Sequence, residues 1–151
     1  MKTSFKILFP FVIYVISSFT AYAQTGRFYT TDGGLSSSLI NHFFQDSKGF
    51  MWAATEYGLN SFDGLRFANY WHVSGDSTSI KNNYVRTLFE DSRQNLLIGC
   101  IDGLMRYDRE TNTFSEIPMI RAGKQVFPHV TQMQELHNGE IWMTTTGQGM
   151  F

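Results

Sequence analysis

"QDSKGFMWAATEYGLNSFDG", residues 45–64, runs through a turn, an apolar stretch, a glycine and a second turn; "EDSRQNLLIGCIDGLMRYDR", residues 90–109, repeats that order in different letters. Setting Asp46 on Asp91 and Leu136, an offset of 45 residues each time, brings in a third copy, "VTQMQELHNGEIWMTTTGQGM" at 130–150. In this phase Trp52, Leu97 and Trp142 coincide, as do Ser47, Ser92 and His137, and Gly49, Gln94 and Gly139. Gly58 and Gly103 meet Gly149 once the third copy is given one extra residue. Six positions of 35–64 are identical in 80–109: Phe44/Phe89, Asp46/Asp91, Ser47/Ser92, Gly58/Gly103, Leu59/Leu104 and Asp63/Asp108. A third copy in phase argues against chance likeness, and a fixed period of this length marks a repeat architecture.

Each copy reads as short strands. Residues 84–90, 96–101, 104–108 and 113–119 are rich in aromatic and branched residues and are separated by turn signals; their equivalents in the first copy are 39–45, 50–55, 59–62 and 66–72. No stretch after residue 23 keeps a helical period for ten residues. "DSKG" at 46–49 offers an Asp to accept backbone N–H groups and a Gly for a positive φ, and "HNG" at 137–139 ends in a hairpin signal. Gln94 breaks that pattern, so the second copy is expected to turn through Asn95. These aspartates and glycines are read as structural.

Strand interiors then choose the architecture. "FMWAA" at 50–54 and "LLIGC" at 96–100 are apolar on both faces, where a sheet with one wet face would alternate. Four-stranded antiparallel meanders stacked face to face, one per repeat of about 45 residues, are the blades of a β-propeller. The fold class expected is therefore all-β, with 35–79 as blade 1, 80–124 as blade 2 and 125–151 as a partial blade 3. Residues 24–34 align with the outer part of a blade, so a strand over Phe28–Thr31 is expected to complete a closing blade. Some two and a half blades are an incomplete ring, since closure takes about four to eight. Trp142 and Met143 should then stand uncovered, and the chain reads as the front piece of a longer sensor, either a fragment or a truncated reading frame.

Residues 1–23 read as a signal peptide. Lys2 and Lys6 precede an apolar run from Ile7 to Phe19, and Ala21 and Ala23 have the spacing that signal peptidase accepts. An uncleaved anchor helix is the alternative, but the run is shorter than the ~20 residues a bilayer span needs. Loss of Lys2 and Lys6 takes the net charge from −1 to −3, which argues against a nucleic-acid surface. Cys100 is the single cysteine and has no partner for an internal disulfide.

Enzymatic chemistry has little support. His42, His72, His129 and His137 lack metal-ligand spacing and read as surface or turn residues. The pair Glu90-Asp91 stands at a strand end beside a turn, and Cys100 takes the place of Thr55 and Thr145, as a small buried strand residue would. "DSKGFMW" resembles the Asp-box of sialidase propellers, but Asp46 to Gly49 is one residue too long. Neither catalytic residues, nor metal, nor cofactor is expected.

Binding is the better reading. In an up-and-down blade the loops between blades and those between second and third strands emerge on one face. That face would gather Tyr57, Trp71, His72, Asn82, Asn83, Asp102, Arg121 and Lys124, with Glu56 and Gln148. Aromatic rings with amide and charged hydrogen-bonding groups suit a carbohydrate. The competing explanation is that Trp71 merely packs under its own loop. Specificity is expected where the copies differ, in 55–57, 73–83 and 120–128.

"GLSSSLINHFFQDSKGFMWAATEYGLNSFDG" (34–64) and "SIKNNYVRTLFEDSRQNLLIGCIDGLMRYDRETNTF" (79–114) resemble the two-component regulator propeller repeat, over residues 26–151 in all. Leu97 stands where that family has Trp, Gln94 where it has Gly, and "TTTGQGM" departs from it in the third copy. The resemblance implies the periplasmic sensor of a membrane-bound two-component regulator, often a hybrid histidine kinase, for glycan uptake. Its partners would be an oligosaccharide or another periplasmic ligand, together with the remaining blades and the membrane-anchored kinase part of the same chain, as a homodimer when full length. The alternative is a secreted propeller scaffold or a lectin-like, carbohydrate-active protein.

Overall fold

The computed structural model describes residues 26–151, so the signal peptide read at 1–23 lies outside the described residues. The first sheet holds β1 (Ile40–Gln45), β2 (Met51–Thr55), β3 (Gly58–Phe62) and β4 (Phe67–Tyr70), antiparallel and in sequence order. The second holds β5 (Val85–Glu90), β6 (Leu96–Cys100), β7 (Gly103–Asp108) and β8 (Thr113–Ile117) in the same order. A two-stranded hairpin, β9 (Met119–Arg121) and β10 (Lys124–Val126), leads to a third sheet of β11 (Val130–Glu135), β12 (Ile141–Thr145) and β13 (Gly149–Met150). The architecture is all-β, built of antiparallel meander blades, and the described residues do not close a ring.

The period read from the sequence is also the period of the ladders. Phe44 pairs with Trp52, Phe89 with Leu97 and Gln134 with Trp142. Each first strand carries a bulge at one place, leaving Asn41, Arg86 and Thr131 as the extra residues opposite β2, β6 and β12. β5 lies between β1 and β11, so the first strands of the three blades stand side by side.

Burial explains the doubly apolar strands. Every residue of β6 is buried. Leu96, Ile98 and Cys100 join Trp52, Ala54, Leu59, Val85 and Phe114 in a core between blades 1 and 2. Leu97 turns the other way, into a core with Leu104, Met119, Val130 and Met133 between blades 2 and 3. Gly99 stands where those sheets approach most closely: a Cβ there would lie 2.6 Å from Thr87 Cγ2 and 3.0 Å from Val130 Cβ. Trp52 stacks on Tyr70 at 5.8 Å and meets Tyr107 edge-on at 5.0 Å. Burying each such large side chain contributes about 1.5–3 kcal/mol.

Several expectations need correction. Residues 26–30 form no strand, and Thr31–Gly33 make one 3₁₀ turn; no described strand lies beside Phe28–Thr31 to pair with it. Tyr29 instead packs on Phe62 and Phe67. The strand expected over 113–119 stops at Ile117, because Pro118 has no N–H to continue the ladder, and the chain resumes as the unforeseen hairpin 119–126. That hairpin crosses the boundary drawn between 124 and 125. Gln94, not Asn95, takes the left-handed conformation, with φ 64°. Trp142 is exposed as expected, but Met143 is half-buried against the second core.

Candidate functional site

The blade-joining face is organised by its loop hydrogen bonds. Trp71 follows β4 and donates from Nε1 to the carbonyl of Tyr57, in the β2–β3 turn, at 3.1 Å. It passes close over Gly58, where φ is +119° and a Cβ would lie 2.8 Å from the Tyr70 carbonyl and 3.0 Å from the Trp71 ring. Only glycine fits there, which fixes the indole beside the turn. The Gly58 N–H donates to the carbonyl of Asn83 at 2.7 Å, and the Asn83 side-chain oxygen accepts from the His72 N–H at 2.7 Å. His72 Nδ1 donates to the Ile80 carbonyl at 3.0 Å, leaving Nε2 as the acceptor of the neutral ring.

Next along the loop, Asn82 donates to Asp102 Oδ2 at 3.2 Å and accepts from the Tyr84 N–H at 2.9 Å. Tyr84 in turn donates to Glu56 at 3.1 Å. Asp102 Oδ1 is buried and accepts no hydrogen bond from the described residues. Such an oxygen is costly to leave unpaired and is a strong acceptor for a hydroxyl. Tyr57, Trp71, His72, Asn82, Asn83 and Asp102 are thus joined through one loop, with Tyr57 66% and Trp71 46% exposed. Arg121 and Lys124 sit apart, opposite each other in the β9–β10 ladder; Arg121 donates to the Gln148 carbonyl at 2.9 Å.

Asp46 looks like a site residue and is held as a structural one. Its Oδ1 accepts from the N–H groups of Lys48 and Phe50, both at 2.9 Å. Its Oδ2 accepts from Trp52 Nε1 and Arg109 Nη1, both at 2.7 Å. Burial alone would raise this carboxyl's pKa, but the hydrogen bonds from Trp52, Arg109 and Phe50 outweigh burial and hold it below the usual value. Arg109 also reaches Glu90 at 2.8 Å, and Glu90 accepts from both the N–H and the hydroxyl of Ser47. Glu135 grips Ser92 in the same way one blade on. β5 and β11 thereby each clasp the Asp-Ser turn of the preceding blade.

The remaining polar groups offer no nucleophile. Cys100 is fully buried, which together with the Asp102 charge pushes its thiol up to about 12. Among the described residues no three His, Cys, Asp or Glu come together in a metal-holding group. His42 is half-buried rather than a surface residue: Nδ1 accepts from the Leu88 N–H of the next blade at 3.0 Å, and burial lowers its pKa. His129 is also half-buried, edge-on to Tyr84. The bulge residues Asn41, Arg86 and Thr131 line a cavity that sequence reading missed. In phase at an offset of 45, these three dissimilar polar residues share one place in strands that carry other polar residues too, so nothing local marks them as bulges.

Comparison with known proteins agrees with this geometry. Residues 34–57 match the family described as two component regulator propeller. The chain is 35% identical over 77 residues to histidine kinase P4 of Formosa agariphila, an alignment covering 48% of this chain and 6% of that protein. It also superposes, with a TM-score of 0.72 and 30% identity, on the extracellular domain assigned to a hybrid two component system of B. thetaiotaomicron, covering 82% of this chain and 18% of that one. The extracellular domain of a one component system from B. thetaiotaomicron gives a TM-score of 0.70 at 21% identity, over 85% of this chain and 18% of that one, a likeness of fold. The chain therefore spans less than a fifth of each of these relatives, and the solved ones are extracellular domains. Residues 34–57 are thus similar to the two component regulator propeller repeat, and the strand ladders recur in phase with that stretch.

Proposed function

We propose that these blades belong to the periplasmic ligand-sensing propeller of a membrane-anchored two-component regulator of the hybrid histidine kinase type, and that the ligand is a glycan. The observation that carries the reading is the 30% identity, over 82% of the chain, to the extracellular domain of a hybrid two component system. Within it, residues 1–23 act as the export signal, and residues 35–151 supply two blades and part of a third. The kinase part of the same longer chain is the partner, and the assembly is a homodimer.

The ligand contacts fall on the blade-joining face, with Tyr57 and Trp71 as the platform and His72, Asn82, Asn83 and Asp102 as hydrogen-bonding groups. Arg121 and Lys124, on the separate β9–β10 hairpin, add positive charge to the same end of the blades. An aromatic face against a sugar ring, flanked by amides and a carboxylate, supports the choice of a saccharide. The test is calorimetric titration of the full-length protein with a panel of oligosaccharides. At least one should bind, and Trp71→Ala should weaken it tenfold or more without changing the melting temperature by more than a few degrees. No heat with any glycan, or full affinity in Trp71→Ala, would count against the reading.

A further inference from the structure

A second candidate site lies among the first strands, away from the loop face. A cavity of about 390 Å³ opens between β1, β5 and β11, lined among others by Asn41, His42, Arg86, Gln132 and Thr144. That volume suits a compact ligand of one or two sugar rings. No Asp or Glu lines it, although the described residues carry a net charge of −3, the chain's −1 less Lys2 and Lys6.

Arg86 is the cation of this cavity. It stands at the β5 bulge, between buried Val85 and Thr87, and the side chain is exposed. It pairs with no carboxylate of the described residues, and residues 1–25 contain no Asp or Glu. Nη1 donates to Asn41 Oδ1 at 3.3 Å, and Asn41 is itself tied to the Val85 carbonyl at 2.8 Å. The guanidinium is therefore steered by one edge while Nε and Nη2 stay free, and that remaining edge is the planar fork that matches a carboxylate. His42 supplies a further donor: because Nδ1 accepts from the Leu88 N–H, the neutral ring carries its proton on Nε2. His129, whose pKa is lowered by burial and then by the Arg86 charge, adds no negative charge to compensate it.

We propose that the cavity between β1, β5 and β11 binds the carboxylate of a compact polar ligand through the Nε/Nη2 edge of Arg86, with His42 Nε2–H as a second donor. A carboxylate accepts both Arg86 N–H groups at once, whereas a neutral hydroxyl meets one, so an acidic ligand is selected over its neutral counterpart. That the carboxylate belongs to a saccharide rests on the glycan reading above; the carboxylate itself rests on Arg86 and the cavity.

The test is calorimetric titration of the full-length protein with glucuronate, glucose and acetate, for the wild type, Arg86→Gln and Arg86→Lys. Glucuronate should bind at least tenfold more tightly than glucose. Arg86→Gln should erase that difference at an unchanged melting temperature, and Arg86→Lys, which keeps the charge without the fork, should keep only part of it. Undiminished glucuronate affinity in Arg86→Gln would overturn the proposal. So would failure of glucuronate to bind a protein that binds neutral oligosaccharides, a result that leaves glycan sensing standing. Acetate binding lost in Arg86→Gln, with no saccharide bound, would support the carboxylate site and overturn the glycan reading.

Discussion

Three copies of one turn solve the same problem with different residues. In the first, Asp46 Oδ2 takes the indole proton of Trp52. The second has Leu97 where that Trp stands, and Asn95 Nδ2 donates to Asp91 Oδ2 at 2.7 Å in its place. The third has lost the Asp, and Trp142 Nε1 turns to Glu140 at 3.5 Å. Asn95 is thus a hydrogen-bond donor and not the turn residue, which leaves Gln94 at φ 64°. A side chain in that region costs roughly 1 kcal/mol relative to glycine, so Gln94→Gly is expected to raise stability by about 1 kcal/mol in urea unfolding. Asp46 gives a prediction in the opposite direction. Its carboxyl is held low in the folded chain, so its contribution is present in full well above the ordinary value of 3.8 and is lost as pH falls through the lowered one. Asp46→Ala, which leaves Arg109 and Trp52 without their acceptor, should cost about 2–3 kcal/mol at pH 7. The difference from wild type should shrink in melts recorded near pH 2.

At the scale of elements, what could be read and what could not have separate physical causes. β1 to β8 were legible to within two residues at their ends because turns rich in Asp, Asn and Gly separate runs dense in apolar residues. The 119–126 hairpin was not, since its turn uses Ala122 at φ 50° with Gly123 at φ 76°, and alanine is no turn signal. The strand expected at Phe28–Thr31 depends on a neighbour in a closing blade, and no described strand lies beside it to pair with it. The clasp of Ser47 by Glu90, and of Asp46 by Arg109, spans dozens of residues and has no local signature. In the candidate site, the residue types of the loop face were legible, whereas the bulges that set Asn41 and Arg86 on the cavity were not. Gly99 tests the packing of elements. Gly99→Ala would drive a methyl into Thr87 and Val130, and should cost about 1–3 kcal/mol, with hydrogen exchange speeding up first in β11, the strand that must move.

The whole molecule is a stack in which each blade covers the face of the next. Blade 2 is buried on both faces, while blade 1 presents Phe43, 69% exposed, and blade 3 presents Trp142, 47% exposed. The clasps of Ser47 and Ser92 by Glu90 and Glu135 tie consecutive blades at one point of the repeat. The most direct test is phosphorylation of the full-length protein in membrane vesicles, with labelled ATP, before and after addition of a glycan shown to bind. The account predicts a ligand-dependent change in phosphorylation that Trp71→Ala shifts to tenfold or more higher ligand concentration. Tight glycan binding with phosphorylation unchanged at saturating ligand would contradict it.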